Sequence, residues 1–308
     1  FIAGVTMKVD DINFKFFHIN KWDNGEFKGD AISTTSELVK ISSDGNLGLE
    51  EGQKFERGGI YRFTVDVTKG NTKAVLTVEK VGKVDLPAPD IFFGNDKMEV
   101  TDTDIYKSDQ AFTQGQMITV TGIDNLNEWW IDPDFFEKQS DGALKFLPIN
   151  GDYRVTANAV LKYFSVMALK DGKPAKLQDD GTGAIWAIGK GIGKPSVTSS
   201  EVGWEPSKAL CLAQVASKKY QLTLKAGETL KTSGDPEVIS FKFFHQNDWG
   251  GEFGNYASSI LVEQLKLADS GNLEMQDNKA FEEGAVYRFT IDVTNGNANA
   301  DLKVEKIN

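Results

Sequence analysis

The chain has 308 residues, 40% hydrophobic and 26% charged, which is the composition of a soluble protein with apolar material for two or three domains. With 34 Lys plus Arg against 45 Asp plus Glu, the net charge of −11 argues against nucleic acid or another polyanion as partner. No apolar run is long enough for a membrane-spanning helix, residues 1–11 do not read as a signal peptide, and Cys211 is alone, so no intrachain disulfide is available.

Residues 1–9 form a short β-like run, and residues 14–27 read FKFFHINKWDNGEF, beginning with a strand pattern. Residues 60–81 alternate apolar and polar side chains on either side of a Gly-Asn turn, the signature of a β-hairpin. Two prolines in KVDLPAP, 83–89, mark a stiff connector, so the first module is placed at 1–83. The middle module, 84–170, contains a strong strand pattern at 115–123 and an aromatic loop, NEWWIDPDFF, at 127–136. Its strings LKF at 144–146 and GDYRVT at 151–156 echo strings of the first module, which reads as a diverged copy of the same sandwich.

A polar, turn-rich stretch at 170–182 precedes the third module, 171–308. Here GKGIGKP, 189–195, has the spacing GxGxG with Pro195 and no helix-forming stretch after it. It is therefore read as a turn-permitting loop and not as a phosphate site. The string FKFFHQNDWGGEF at 241–253 repeats the opening of the chain. Phe14, Lys15, Phe16, Phe17, His18, Asn20 and Trp22 return 227 positions later as Phe241, Lys242, Phe243, Phe244, His245, Asn247 and Trp249. Glu26 and Phe27 return 226 positions later as Glu252 and Phe253, and the match continues through YRFT at 61–64 and 287–290. The first module matches only the later part of the third, with nothing equivalent to Trp186, Trp204 or Tyr220. Short β-rich runs separated by Gly, Asn and Asp predict an all-β chain of tandem β-sandwich domains, immunoglobulin-like or carbohydrate-binding-module-like.

The chemistry-bearing candidates are aromatic. A sugar presents an apolar C–H face and a rim of hydroxyls, so its site needs a flat aromatic platform with amide, carboxylate and lysine partners. Trp249 among Asn247 and Glu252, and Trp22 among Asn20 and Glu26, supply that set in polar loops; the alternative is that both tryptophans cap the ends of their sandwiches. Lys15 and Lys242 alternate with phenylalanines and face away from them, toward a ligand or toward solvent. Trp186, among Ile185, Ala187 and Ile188, reads as core. Of the adjacent Trp129 and Trp130, one is expected inside and the other partly exposed as a further platform. Asp132 and Asp134 hint weakly at a calcium site or a carboxylate pair, with solvated loop residues as the bland reading. Only His18 and His245 are present, one per repeat, so neither a His-rich metal centre nor a cofactor is expected.

The ordered pattern IWAIG (185–189), GWEP (203–206), YQLT (220–223), KAG (225–227) and FKF (241–243) resembles the starch-binding modules of the SusE and SusF outer-membrane lipoproteins of gut Bacteroidetes. It also resembles, more distantly, the starch-binding sandwiches attached to amylases. The resemblance implies a non-catalytic, surface-anchored glycan binder that passes polysaccharide or oligosaccharide to an outer-membrane transporter complex. It adds Trp204 as a stacking residue and gives Lys242 a reach to ligand. It also implies an anchoring cysteine, which this chain lacks. The competing expectation is a structural or adhesive sandwich protein, with its tryptophans packed under neighbouring loops. A glycoside hydrolase would need a two-carboxylate cleft for which modules of this size leave little room.

Overall fold

The structure is a computed structural model that describes all residues except 10, 21–24, 87–88, 103, 124, 233–237, 254–257, 261 and 308, with 258–260 described as backbone only. The chain is all-β, a series of β-sandwich modules, and falls into two compact units, Phe1–Ala88 and Pro89–Asn308.

The first unit contains β1 (Ile32–Thr34), β2 (Val39–Ile41), β3 (Leu47–Leu49), β4 (Gly59–Asp66) and β5 (Ala74–Lys83). The predicted hairpin is the antiparallel β4–β5 pair; β1 joins β5 in parallel, and β2 pairs with β3. Alternation places Tyr61, Leu76 and Val78 inside, where Phe55 meets Tyr61 edge-on at 4.6 Å. The two expected strands ahead of them do not form ladders. Residues 1–9 make isolated bridges, and the FKFF string bridges only at Phe14↔Leu47 and Phe17↔Glu26.

The second unit opens with β6 (Phe92–Phe93), β7 (Asp96–Lys97), β8 (Glu99–Asp102), β9 (Ile105–Phe112), β10 (Met117–Ile118), β11 (Val120–Thr121), β12 (Phe136–Lys138), β13 (Leu144–Phe146), β14 (Gly151–Asn158), β15 (Tyr163–Lys170) and β16 (Lys173–Pro174). A five-stranded sheet, β16-β15-β14-β9-β8, packs on two three-stranded sheets, β10-β13-β12 and β11-β6-β7. Phe93 of β6 touches Phe112, Phe136 and Phe164, which fills the interior between the layers. The strand expected over 115–123 is broken in two: β10 pairs with β13 and β11 with β6, so the chain turns a corner from one sheet to the next.

The remainder forms β17 (Trp186–Gly193), the single helical turn α1 (Val197–Ser200), β18 (Glu201–Gly203), β19 (Leu210–Cys211), β20 (Ala213–Ala216), β21 (Lys219–Lys225), β22 (Ser240–Phe244), β23 (Ser258–Ile260), β24 (Leu265–Leu267), β25 (Leu273–Met275), β26 (Val286–Asp292) and β27 (Asp301–Lys306). One sheet runs β18-β17-β22-β25-β24, with β19 also on β17; the other runs β20-β21-β26-β27-β23. Phe241 and Phe243 reach across from the first sheet to Phe289 of the second, at 5.6 and 6.4 Å, and all three are fully buried. The glycines of 189–193 were expected in a loop and lie instead within β17. A Cβ on Gly189 would fall 2.3 Å from the Cα of Phe241, so glycine is what lets β17 approach β22. A short helical turn does follow Pro195, with Ser196 capping it through the Ser199 N–H.

The two modules of this unit are joined through a buried ionic cluster. Lys194 donates to both oxygens of Asp132, at 2.9 and 2.7 Å, and to Asp134 at 3.1 Å. Asp134 also accepts from the Thr223 hydroxyl and N–H, both at 2.6 Å, and from Gln221 at 2.7 Å. All three charged residues are buried, unlike the solvated or calcium-binding pair that loop composition suggested. Burial opposes the charge on Asp134 and Lys194. The mutual attraction and the hydrogen bonds outweigh it, holding the Asp134 carboxyl below its usual range and the Lys194 ammonium above its own.

Candidate functional site

Two loops at the edge of the β18-β17-β22 sheet bring tryptophans together. β18 ends at Gly203, whose φ of +57 turns the chain outward at Trp204; a 3-10 turn at Pro206–Lys208 then returns it to β17 as β19. The second loop is the reversal after β22. Its ends are closed by the bridge Phe244↔Glu252 and by two bonds, His245 N–H to the Gly251 carbonyl at 2.7 Å and Phe253 N–H to the Phe243 carbonyl at 3.0 Å. Inside it, the Gln246 amide donates to the Trp249 carbonyl at 2.6 Å, and the Trp249 N–H donates to Asp248 at 2.7 Å.

The result is a pair of indoles with centroids 6.3 Å apart and planes inclined by 25°. Trp249 rests edge-on against Phe244 at 6.0 Å and remains 50% exposed; Trp204 is half-buried. Phe244 and Trp204 thus both contact the Trp249 ring, and half of the residue stays exposed. An exposed, pre-positioned aromatic surface of this kind suits the C–H face of a sugar at little entropic cost.

Beside Trp204 lies a shallow cleft of about 690 Å³, lined by Lys190, Glu201, Glu205, Lys208 and Lys231 among others. Glu201 is partly desolvated, yet Lys231 at 2.9 Å and the Gly191 N–H at 2.8 Å hold its carboxyl below the usual range. Lys208 pairs with Glu205 at 2.7 Å. This charged rim was missed from the sequence, because Glu201, Lys190 and Lys231 lie on three separate segments. The nearest cue was Glu205 directly after Trp204.

The other candidates divide by role. Asn247 is half-buried, with its Oδ1 enclosed and lacking a hydrogen-bond partner. Glu252 is exposed, and with His245, Asp179 and Asn297 it lines a different cleft, of about 710 Å³. Burial lowers the His245 imidazole below its ordinary value, and the ring lies edge-on to Phe253 at 4.2 Å; the His18 ring lies edge-on to Phe27 at 5.4 Å. Lys242 donates to the Ser270 carbonyl at 2.5 Å, and Lys15 donates to the equivalent Asp44 carbonyl at 2.9 Å. In both copies, therefore, the lysine ties its strand to a turn. Asn20 is exposed, and Glu26 sits on the loop-closing bridge with Phe17; Trp22 lies outside the described residues.

In the middle module Trp129 is buried and stacks on Phe164 at 4.6 Å, while Trp130 is half-buried. The Trp130 N–H donates to Glu228 at 2.8 Å, and the ring lines a cleft of about 560 Å³ shared with Tyr163, Met167 and Lys194. Trp186 is fully buried and donates to the Ala175 carbonyl at 3.0 Å. Among the described residues no group of acidic, histidine or cysteine side chains is arranged to hold a metal.

Residues 1–68 and 180–294, together more than half of the chain, match the family model described as Domain of unknown function (DUF5121). Residues 84–177 match a different model, Domain of unknown function (DUF5125). No protein of curated function matches the chain.

Proposed function

We propose that this chain, which belongs to the DUF5121 family, is a non-catalytic glycan-binding protein that holds polysaccharide against the Trp204–Trp249 surface of its C-terminal module. The observation that carries the reading is the convergence of two tryptophans from separate loops into one stacked, nearly parallel pair, with Trp249 half-exposed. The adhesive alternative requires that ring to be packed under its neighbours, and its exposure argues against this. The ion pairs of Glu201 with Lys231 and of Glu205 with Lys208 place donors and acceptors beside Trp204 for sugar hydroxyls. A starch-like glucan is the first ligand to try, on the strength of the resemblance to the SusE and SusF modules. The same resemblance motivates an outer-membrane, surface-exposed location and a role in delivering glycan to a transporter.

The test is a titration of intrinsic tryptophan fluorescence with malto-oligosaccharides and with β-linked controls. Saturable quenching that is lost in both Trp204→Ala and Trp249→Ala supports the reading. The absence of any change with every sugar contradicts it.

A further inference from the structure

Between the middle and C-terminal modules of the second unit lies the cleft of about 560 Å³ that Trp130 lines, and neither Trp204 nor Trp249 belongs to its walls. One wall comes from the middle module. Along β15, Phe164 and Val166 are buried, so alternation turns Tyr163, Ser165 and Met167 outward, where each is half-buried and faces the cleft. Trp130 stands beside them, bridged to Tyr163 through the backbone. The opposite wall comes from the C-terminal module. It is made by Ser199 and Ser200 of α1 and by the turn from Ser207 to Leu210, which returns the chain from Trp204 to β17.

Glu201 and Lys208 line this cleft and also the cleft beside Trp204, so the two share a border. The walls of the junction are tied together. The Trp130 N–H donates to Glu228 at 2.8 Å, which fixes the edge of the indole to the C-terminal module. The Lys194 ammonium lies 5.9 Å from the centre of the same ring while it bonds Asp132 and Asp134. A ligand that bridges walls held in this way has no hinge to close. The lining sets two half-buried aromatic rings, Trp130 and Tyr163, beside the hydroxyls of Ser199, Ser200 and Ser207. That combination matches the C–H face and hydroxyl rim of a sugar. A purely apolar ligand would displace water from those hydroxyls without replacing its hydrogen bonds.

We infer that the glycan site is longer than the tryptophan pair: one oligosaccharide chain runs from Trp249 and Trp204 across the border at Glu201 and Lys208 into the junction cleft, where Trp130 and Tyr163 hold its further units. This inference rests on the glycan-binding reading and adds to it the length class of the ligand. The preferred ligand is a segment of a polymer, several sugars long, held by two modules at once. The middle module is then part of the site, and the buried Lys194 cluster keeps its two halves in register.

The test is calorimetric titration of the full chain with maltotriose and with maltoheptaose, repeated on Trp130→Ala and on Ser207→Arg. The second variant places a long side chain at an exposed turn position that lines the cleft. It leaves the bond from Trp130 to Glu228 in place, so it reads the cleft even where Trp130→Ala loosens the junction. The intact chain is expected to bind the longer sugar about tenfold or more tightly than the shorter. Both variants are expected to lose that gain and to keep the affinity for maltotriose that Trp204 and Trp249 supply. Equal affinity for the two sugars would overturn the inference and leave the glycan reading standing. So would a gain with length that both variants retain, since the longer chain would then be sliding on the tryptophan pair alone. Failure of both sugars, and of β-linked glucans of the same lengths, to bind would remove the inference together with the reading beneath it. Binding of anilinonaphthalene sulfonate that is lost in Trp130→Ala and unaffected by saturating maltoheptaose would also overturn it, by assigning the cleft to an apolar ligand.

Discussion

Trp249 and Trp204 carry the functional account at the scale of single residues. A pyranose covering about 60 Å² of indole contributes about 1.5 kcal/mol, roughly tenfold in Kd. Trp249→Ala and Trp204→Ala are each expected to weaken glycan binding by about that factor in calorimetric titration, with little effect on the fold for the half-exposed Trp249. Lys194 makes a different prediction. Its replacement by Met leaves Asp132 and Asp134 buried without their counter-charge, at a cost of about 3–5 kcal/mol, measurable by chemical denaturation. His245 gives the pH dependence. Burial lowers its folded-state pKa, so its stabilising contribution is complete above the unfolded value of about 6.5 and is lost as pH falls through the lower folded value. Stability of the second unit is therefore expected to decline from pH 7 toward pH 5, and His245→Gln is expected to flatten that slope in denaturation curves.

At the scale of elements, the two FKFF strings show what local sequence controls. Both put phenylalanines inward and the lysine outward onto a turn carbonyl, as alternation predicts. Only the copy flanked by β17 becomes a ladder strand, because strand status depends on a partner that the string does not encode. Lys15→Met and Lys242→Met are each expected to cost about 0.5–1.5 kcal/mol in their own unit and to leave glycan affinity unchanged, which would place both lysines in the fold and outside the ligand site.

The hairpin β4–β5 was legible from alternation and turn residues, and β26–β27 through its repeat of the YRFT string. β17 was not, because Gly189, Gly191 and Gly193 mimic a loop when their real task is close strand approach. The Trp249 loop was legible because its polar neighbours left the indole no core to enter. Its partner Trp204 came from resemblance alone, since the two are 45 positions apart and nothing local links them. The buried Lys194 cluster was invisible for the same reason, its partners lying 60 and 62 residues away.

At the scale of the whole molecule, the division into Phe1–Ala88 and Pro89–Asn308 predicts two calorimetric transitions, the weaker belonging to the first unit with its half-buried aromatic interior. The second unit is expected to unfold as one transition because Lys194, Asp132, Asp134 and Thr223 join its two modules; Lys194→Met is expected to separate them. The net charge of −11 suits a neutral ligand, and affinity that varies little with salt is the corresponding expectation for a stacking site.

The most direct test of the central claim is affinity electrophoresis in gels containing starch and a panel of other glycans, comparing the intact chain with Trp249→Ala. The account predicts retardation by at least one glycan, reduced in the variant. Unretarded migration in every gel, or retardation that Trp249→Ala leaves intact, would contradict it.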